Sequence, residues 1–300
     1  MATGKKGAIT ALAPWAGSKR NMAPAIVGLL GGHELYVEPF AGSMAVLFRK
    51  PPSRMEIVND LHRDLVNVAR VLQSETAAEA LLRRLLYTLA SEETWRAARR
   101  AVRRPYRGRL GDVDRAYHAL VDWWLGRNGV AGAVNSGSFC ARFSASGGSG
   151  GVRWRTFVES VPFFCDRLAK VDVLHRDAFA LIGALHDKPG LAVFADPPYV
   201  EKSVRYEHDF AEADHRRLAA ELNRFERAKV VVSYYAHPLL DELYPADRWR
   251  RVYPAVAKTM SNTTRKGKTG AVAAPEVLLV NDASPSRPAA GGATLVDSVA

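Results

Sequence analysis

The chain has 300 residues, 48% of them hydrophobic, enough for one large α/β domain or two smaller ones with a sizeable core. Its formal net charge of +11 points to a polyanionic partner, and no apolar run approaches the ~18–20 residues of a membrane span. Met1 to Thr10 lacks the apolar core of a secretory signal, and Cys140 and Cys165 offer neither metal-type spacing nor a disulfide framework. A cytoplasmic protein with reduced thiols, no metal and no membrane association is therefore expected.

Ser18 is positioned to cap a helix that runs to about Leu30 and stops at Gly31-Gly32. Leu35 to Val37 reads as a short strand entering Glu38-Pro39-Phe40-Ala41-Gly42-Ser43, after which Met44 to Phe48 continues as helix. Met55 to Val58 gives a second strand ending at Asn59-Asp60. Strand, loop, helix, strand is the signature of a parallel sheet.

From His62 to Thr156 the periodicity turns helical, with leucines at 81, 82, 85, 86 and 89 and a Trp123-Trp124 pair. This stretch holds sixteen Arg, no Lys and eight acidic residues, so +8 of the chain's +11 lies in it, and seven of the arginines fall between Arg96 and Arg109. It closes on a Ser/Gly-rich loop, Ser144 to Gly151, of the composition expected of a mobile segment. A basic strip with this concentration of Arg suits phosphate binding, and a solvated helix face is the alternative reading.

The sheet pattern resumes at Val171 to Leu174 before Asp177, and again at Leu191 to Ala195 before Asp196. Ala211 to Arg227 reads as helix, Lys229 to Ser233 as a strand leading into Tyr234-Tyr235, and Trp249 to Val256 and Glu276 to Val280 as the last two strands. A basic loop, Lys258 to Lys268, joins that last pair, and residues 283–300 have the composition of a disordered tail.

The chemistry concentrates at Asp196-Pro197-Pro198-Tyr199. An all-apolar run such as Leu191 to Ala195 reads as a strand buried on both faces, so Asp196 emerges at its carboxyl end, where open α/β sheets bind ligands. The prolines have no N–H, so a carboxylate, a carbonyl and an aromatic ring converge on one spot suited to a planar group bearing an amine. Phe40-Ala41-Gly42-Ser43 lets backbone approach a ligand at a strand-to-helix turn, but it does not spell G-x-G-x-x-G. Asp60 stands where an acid can bind ribose hydroxyls, with helix capping as its alternative. Lys19, in the first turn of the predicted helix, is out of place against the macrodipole and would fit better facing a ligand carboxylate, with a solvated lysine as the alternative reading.

In this order, Trp15-Ala16-Gly17-Ser18-Lys19, Val37 to Ser43, Asn59-Asp60 and Asp196 to Tyr199 resemble the motifs of the DNA adenine-N6 methyltransferase family, from Pro14 to Asn281. Two positions depart from it: Ser18 stands where glycine is commoner, and Met44 replaces a glycine that often follows the motif's serine. The resemblance implies an α/β fold: a Rossmann-like S-adenosylmethionine core over 1–61 and 157–282, with a helical, basic target-recognition domain inserted at 62–156. By the resemblance, S-adenosylmethionine meets Trp15, Lys19, Glu38, Phe40, Gly42, Asp60 and Asp196, Asp177 reads its adenine, and Glu276 to Asn281 is the last core strand.

The catalytic group would be Asp196, Pro197, Pro198 and Tyr199. Asp196 and the Pro197 carbonyl would accept the hydrogens of an adenine amine, and Tyr199 would stack on a base flipped out of the duplex. Transfer would be a direct displacement. Double-stranded DNA is the expected partner, gripped by Arg99, Arg100, Arg103, Arg104, Arg142, Lys258 and Arg265. A restriction endonuclease is a candidate companion, and the chain would act as a monomer or weak dimer. Cytosine-C5 methylation is disfavoured, because both cysteines follow Phe rather than Pro. Cytosine-N4 methylation and a non-catalytic DNA-binding subunit are the remaining alternatives.

Overall fold

Leu191–Ala195 (β4) is buried at every position, as an uninterrupted apolar run in a central strand requires. It lies between Leu35–Glu38 (β1) and Lys229–Tyr235 (β5) and is parallel to both. The computed structural model describes residues 10–15, 17–126, 131, 138–139, 149–200, 209–254 and 275–281. Met55–Asn59 (β2), Asp172–Leu174 (β3), Trp249–Val252 (β6) and Glu276–Asn281 (β7) complete a seven-stranded sheet of order β3-β2-β1-β4-β5-β7-β6. The first five strands are parallel, whereas β7 is antiparallel to both β5 and β6. The sheet is therefore mixed. Predicted Val256 lies beyond the observed end of β6, and residues 255–274, including the predicted basic loop, lie outside the described residues.

The chain leaves β1 outward through β2 and β3, then returns to place β4 on the other side of β1. This reversal opens a crevice at the carboxyl ends of β1 and β4. Val37 pairs with Val193, so Glu38-Pro39-Phe40 and Asp196-Pro197 leave the sheet side by side.

Alternation along the strands divides the apolar side chains between two faces. Val37, Val193, Val230 and Val232 join the cluster covered by Ala178–Gly183 (α8), Glu212–Asn223 (α9) and Leu239–Leu243 (α10). Tyr36, Phe194, Val231 and Leu278 join the larger cluster under Ala23–Leu30 (α1) and Ala45–Arg49 (α2). Short α10, of five residues, carries too little periodicity to be read from sequence.

Among the described residues five helices separate β2 from β3: Arg63–Gln73 (α3), Glu75–Leu86 (α4), Glu92–Val102 (α5), Val113–Leu125 (α6) and Gly150–Leu168 (α7). Ser74, Ser91, Asp112 and Ser149 cap the last four, each side chain accepting from the third helical N–H. These helices share the larger cluster with the sheet: Trp124 stacks on Phe157 with centroids 4.5 Å apart and donates its Nε1–H to the Leu12 carbonyl at 3.1 Å. Helix α7 runs unbroken through the predicted boundary at 156/157, because Phe157, Val161 and Phe164 continue the buried face begun by Trp154. Of the predicted Ser/Gly loop, Ser149 to Gly151 is the start of this helix and 144–148 lie outside the described residues. No helix among the described residues is long and apolar enough to cross a membrane, and no group of three or more His, Cys, Asp or Glu among them could hold a metal.

Candidate active site

The turn after β1 is built around two left-handed residues. Gly42 has φ +46°, and a Cβ there would lie 3.1 Å from Trp15 Nε1. Met44 has φ +55°, which accounts for the glycine expected at that position. A left-handed non-glycine costs about 1–2 kcal/mol, and burial of the Met44 side chain, 1% exposed, offsets a strain of that size. Gly42→Ala has no such compensation. It is expected to lower stability by about 1 kcal/mol and to displace Trp15, read as a lower melting temperature with a shifted tryptophan emission.

Asp60 ties this turn to the next loop. Its Oδ2 accepts from Gly42 N at 2.7 Å and its Oδ1 from His62 N at 2.8 Å. His62, not Asp60, caps α3, accepting from Leu65 N through Nδ1, and its ring meets Trp15 edge-on at 5.1 Å. Asn59, 1% exposed, donates to the Pro39 and Arg176 carbonyls and accepts from Arg176 N, joining the ends of β1, β2 and β3. Asp177 caps α8, with Oδ1 accepting from Ala180 N at 3.0 Å. Phe40 packs edge-to-face on Phe210, which stacks on Phe179.

Ser18 does not cap a helix. Lys19–Asn21 forms a 3-10 turn and α1 begins at Ala23 with a proline in its first turn, where the missing N–H costs nothing. The Ser18 hydroxyl instead lies 2.7 Å from that of Ser43, which joins the first two sequence motifs.

Lys19 also differs from expectation. Its ammonium, 5% exposed, lies 3.0 Å from Asp196 Oδ2 and 3.5 Å from Glu276 Oε1, and it donates to the Gly17 carbonyl at 2.6 Å. The ammonium thus faces two of the protein's own carboxylates. The turn carries Lys19 to the mouth of β4, a contact that helix periodicity could not reveal.

Asp196 therefore has one oxygen held by Lys19, while Oδ1 is buried without a hydrogen-bond partner among the described residues. Burial pushes its carboxyl up to about 6, against the pull of Lys19. The Tyr199 hydroxyl lies 2.8 Å from Ser233 Oγ and donates to Glu276 Oε1 at 3.2 Å. Its ring meets Tyr235 edge-on at 4.6 Å and has the Lys19 ammonium 5.0 Å from its centroid. Sequence reasoning missed Glu276, Ser233 and Tyr235 as site residues because they come from β5 and β7, far along the chain from the tetrapeptide.

Glu38, 2% exposed, turns its carboxyl toward Tyr36, whose hydroxyl donates to it at 2.9 Å. Burial raises it to about 8, the Tyr36 bond opposing and the charge of Asp196 adding to the rise. The folded protein thus holds a proton that the unfolded chain releases between about 4.5 and 8. Its stabilising contribution is complete below 4.5 and is lost as pH rises through 8. Glu38→Gln, which keeps an acceptor for Tyr36, should raise the melting temperature at pH 9 more than at pH 5.

Of the predicted DNA contacts, Arg99 is corrected. Its guanidinium pairs with both oxygens of Asp122 at 3.1 Å, and both side chains are largely buried, so it holds α5 on α6. Arg115 is likewise committed to Asp64. Arg100, Arg103 and Arg104 are exposed at and just beyond the end of α5. Arg142, Lys258 and Arg265 lie outside the described residues, as does Cys140.

Residues 15–127, from Trp15 through the Gly42 turn and Asp60 to the end of α6, match a family model described as D12 class N6 adenine-specific DNA methyltransferase. The matched stretch is 113 of the chain's 300 residues, and over it the chain is similar to that family. Asp196 lies outside the matched stretch, so the family match and the tetrapeptide are separate observations. No curated protein matches the sequence. Similar solved structures include an rRNA methylase from Streptococcus thermophilus, at 8% identity and TM-score 0.34 over 86% of this chain and 92% of that one. The rRNA methyltransferase aviRa from Streptomyces viridochromogenes is 15% identical, at TM-score 0.38 over 86% of this chain and 82% of that one. Likeness at these scores says nothing of this chain's substrate.

Proposed function

We propose that the chain transfers the methyl of S-adenosylmethionine to N6 of an adenine flipped out of duplex DNA, with Asp196 as the acceptor that orients the amine. The observation that carries this is the Asp196 carboxylate, with Oδ2 held by Lys19 and Oδ1 buried, unpartnered among the described residues, at the crevice between β1 and β4. A buried, unpaired acceptor is costly unless a ligand donor completes it.

The residues present fit the donor molecule. The tight Gly42 turn, the Trp15 and Phe40 rings and the acids Asp60 and Asp177 surround the carboxyl ends of β1, β2 and β3. Trp15, Phe40, Asp60 and Asp177 would hold it, Asp60 through acceptor capacity remaining beside its two backbone bonds. S-adenosylmethionine supplies an electrophilic methyl on a sulfonium.

The chain's own residues would do the rest. The exocyclic amine of adenine has its lone pair delocalised into the ring. Asp196 Oδ1 and the Pro197 carbonyl would accept its two hydrogens and draw the nitrogen toward tetrahedral geometry. Tyr199, its hydroxyl pinned by Ser233 and Glu276, would present a fixed ring to the base. Exposed Arg100, Arg103 and Arg104, within the basic stretch 62–156, would neutralise phosphates.

Incubating the full chain with unmethylated duplex DNA and methyl-labelled S-adenosylmethionine, then digesting to nucleosides, tests the reading. Label in N6-methyl-2′-deoxyadenosine is expected. No transfer to any of a varied set of duplexes would overturn it.

A further inference from the structure

Glu276 belongs to no sequence motif of the site, yet it touches two of the site's groups. It begins β7, opposite Tyr235 of β5, and its Oε1 lies 3.2 Å from the Tyr199 hydroxyl and 3.5 Å from the Lys19 ammonium. Lys19 is thus shared unequally by two carboxylates, Asp196 at 3.0 Å and Glu276 at 3.5 Å. Two negative charges face one positive charge in a largely buried cluster.

We propose that Glu276 is a positioning residue for methyl transfer, the alternative counter-ion that holds Lys19 off Asp196 as the target amine arrives and that fixes the hydroxyl of Tyr199. The proposal rests on the reading of Asp196 as the amine acceptor.

Acceptor strength is the physical basis. A carboxylate fully engaged by an ammonium is a poor acceptor for a neutral amine, because the cation has already drawn on its charge. With Glu276 present, Lys19 keeps an ionic partner when its bond to Asp196 lengthens, so Asp196 can turn its charge toward the substrate without stranding a buried cation. Without it, Asp196 would be the carboxylate left to balance Lys19 among the described residues. The groups facing Asp196 are Lys19 from the 3-10 turn, Glu38 from β1, Tyr199 from the loop after β4, Tyr234 from β5 and Glu276 from β7. Of these, Glu38 is held largely neutral at pH 7 and the tyrosines are held protonated by burial, so Glu276 is the charge that opposes Lys19.

The test uses the full chain and two variants, Glu276→Gln and Glu276→Asp. Carboxyl carbon NMR of the free protein follows Asp196, whose midpoint is expected near 6 in the parent. In Glu276→Gln it should fall by about half a pH unit or more, since a neighbouring negative charge has gone. Glu276→Asp, which keeps the charge, should titrate like the parent. In methyl transfer to unmethylated duplex DNA, Glu276→Gln should lose on the order of tenfold in kcat with KM for S-adenosylmethionine unchanged, and Glu276→Asp should recover much of it. An unmoved Asp196 midpoint in Glu276→Gln overturns the proposal whatever the activity. Equal loss in both variants, or a loss confined to KM, overturns it as well. Failure of the parent to methylate DNA would instead remove the underlying reading, and the proposal with it, so the two failures are distinguishable.

Discussion

Asp196→Ala is expected to lower kcat for methyl transfer by about 10²–10⁴-fold, the range in which a positioned acid or base contributes to a reaction. The protein itself should lose little stability, for a reason visible in the site. Burial pushes the Asp196 carboxyl up to about 6, so at pH 8 the native state holds an ionised group in an environment that disfavours it. Removing that group relieves this cost, and Lys19 keeps Glu276 and the Gly17 carbonyl as partners. Single-turnover kinetics beside urea unfolding separates the two effects. A large loss of stability with intact turnover would reverse the roles assigned.

Lys19→Met is expected to harm stability as well as turnover. It leaves Asp196 and Glu276 as neighbouring carboxylates without their shared cation. Breaking a buried pair by removing one partner costs about 3–5 kcal/mol. The cost depends on pH in a definite direction. Loss of the cation raises Asp196 above its value of about 6, so below that pH the carboxyl is protonated and much of the penalty vanishes. As pH rises through 6 and beyond, the charge must form without its partner and the penalty grows. Urea unfolding should therefore show a small loss at pH 5 and a larger one at pH 8. An equal loss at the two values would mean that Lys19 acts through packing alone.

Much of the fold is legible in the sequence because its central strands are short apolar runs with polar ends. Leu191 to Ala195 could only be a strand buried on both sides, and the residue after it had to emerge at the ligand-binding edge. The parallel part of the sheet follows from the order of strands and helices, whereas the antiparallel placing of β7 does not, since pairing direction leaves no trace in an apolar run such as Val277 to Val280. At the site, the residue types are legible and their partners are not. Lys19 departs from expectation because a 3-10 turn replaces the first turn of the predicted helix. Arg99 departs because its charge alone says nothing about Asp122, twenty-three residues on and directly opposite it. Glu276 leaves no signal since a single acid at the start of a strand has no local pattern. Met44 shows the reverse case: the glycine expected there corresponds to a φ of +55°, so the departure in sequence marks a backbone requirement.

The most direct measurement is nucleoside mass spectrometry on DNA from cells that lack endogenous DNA methylation, expressing either the parent chain or Asp196→Ala. N6-methyladenine is expected with the parent, none with the variant, and no N4-methylcytosine with either. N4-methylcytosine in place of N6-methyladenine, or N6-methyladenine undiminished by Asp196→Ala, would contradict the role given to Asp196.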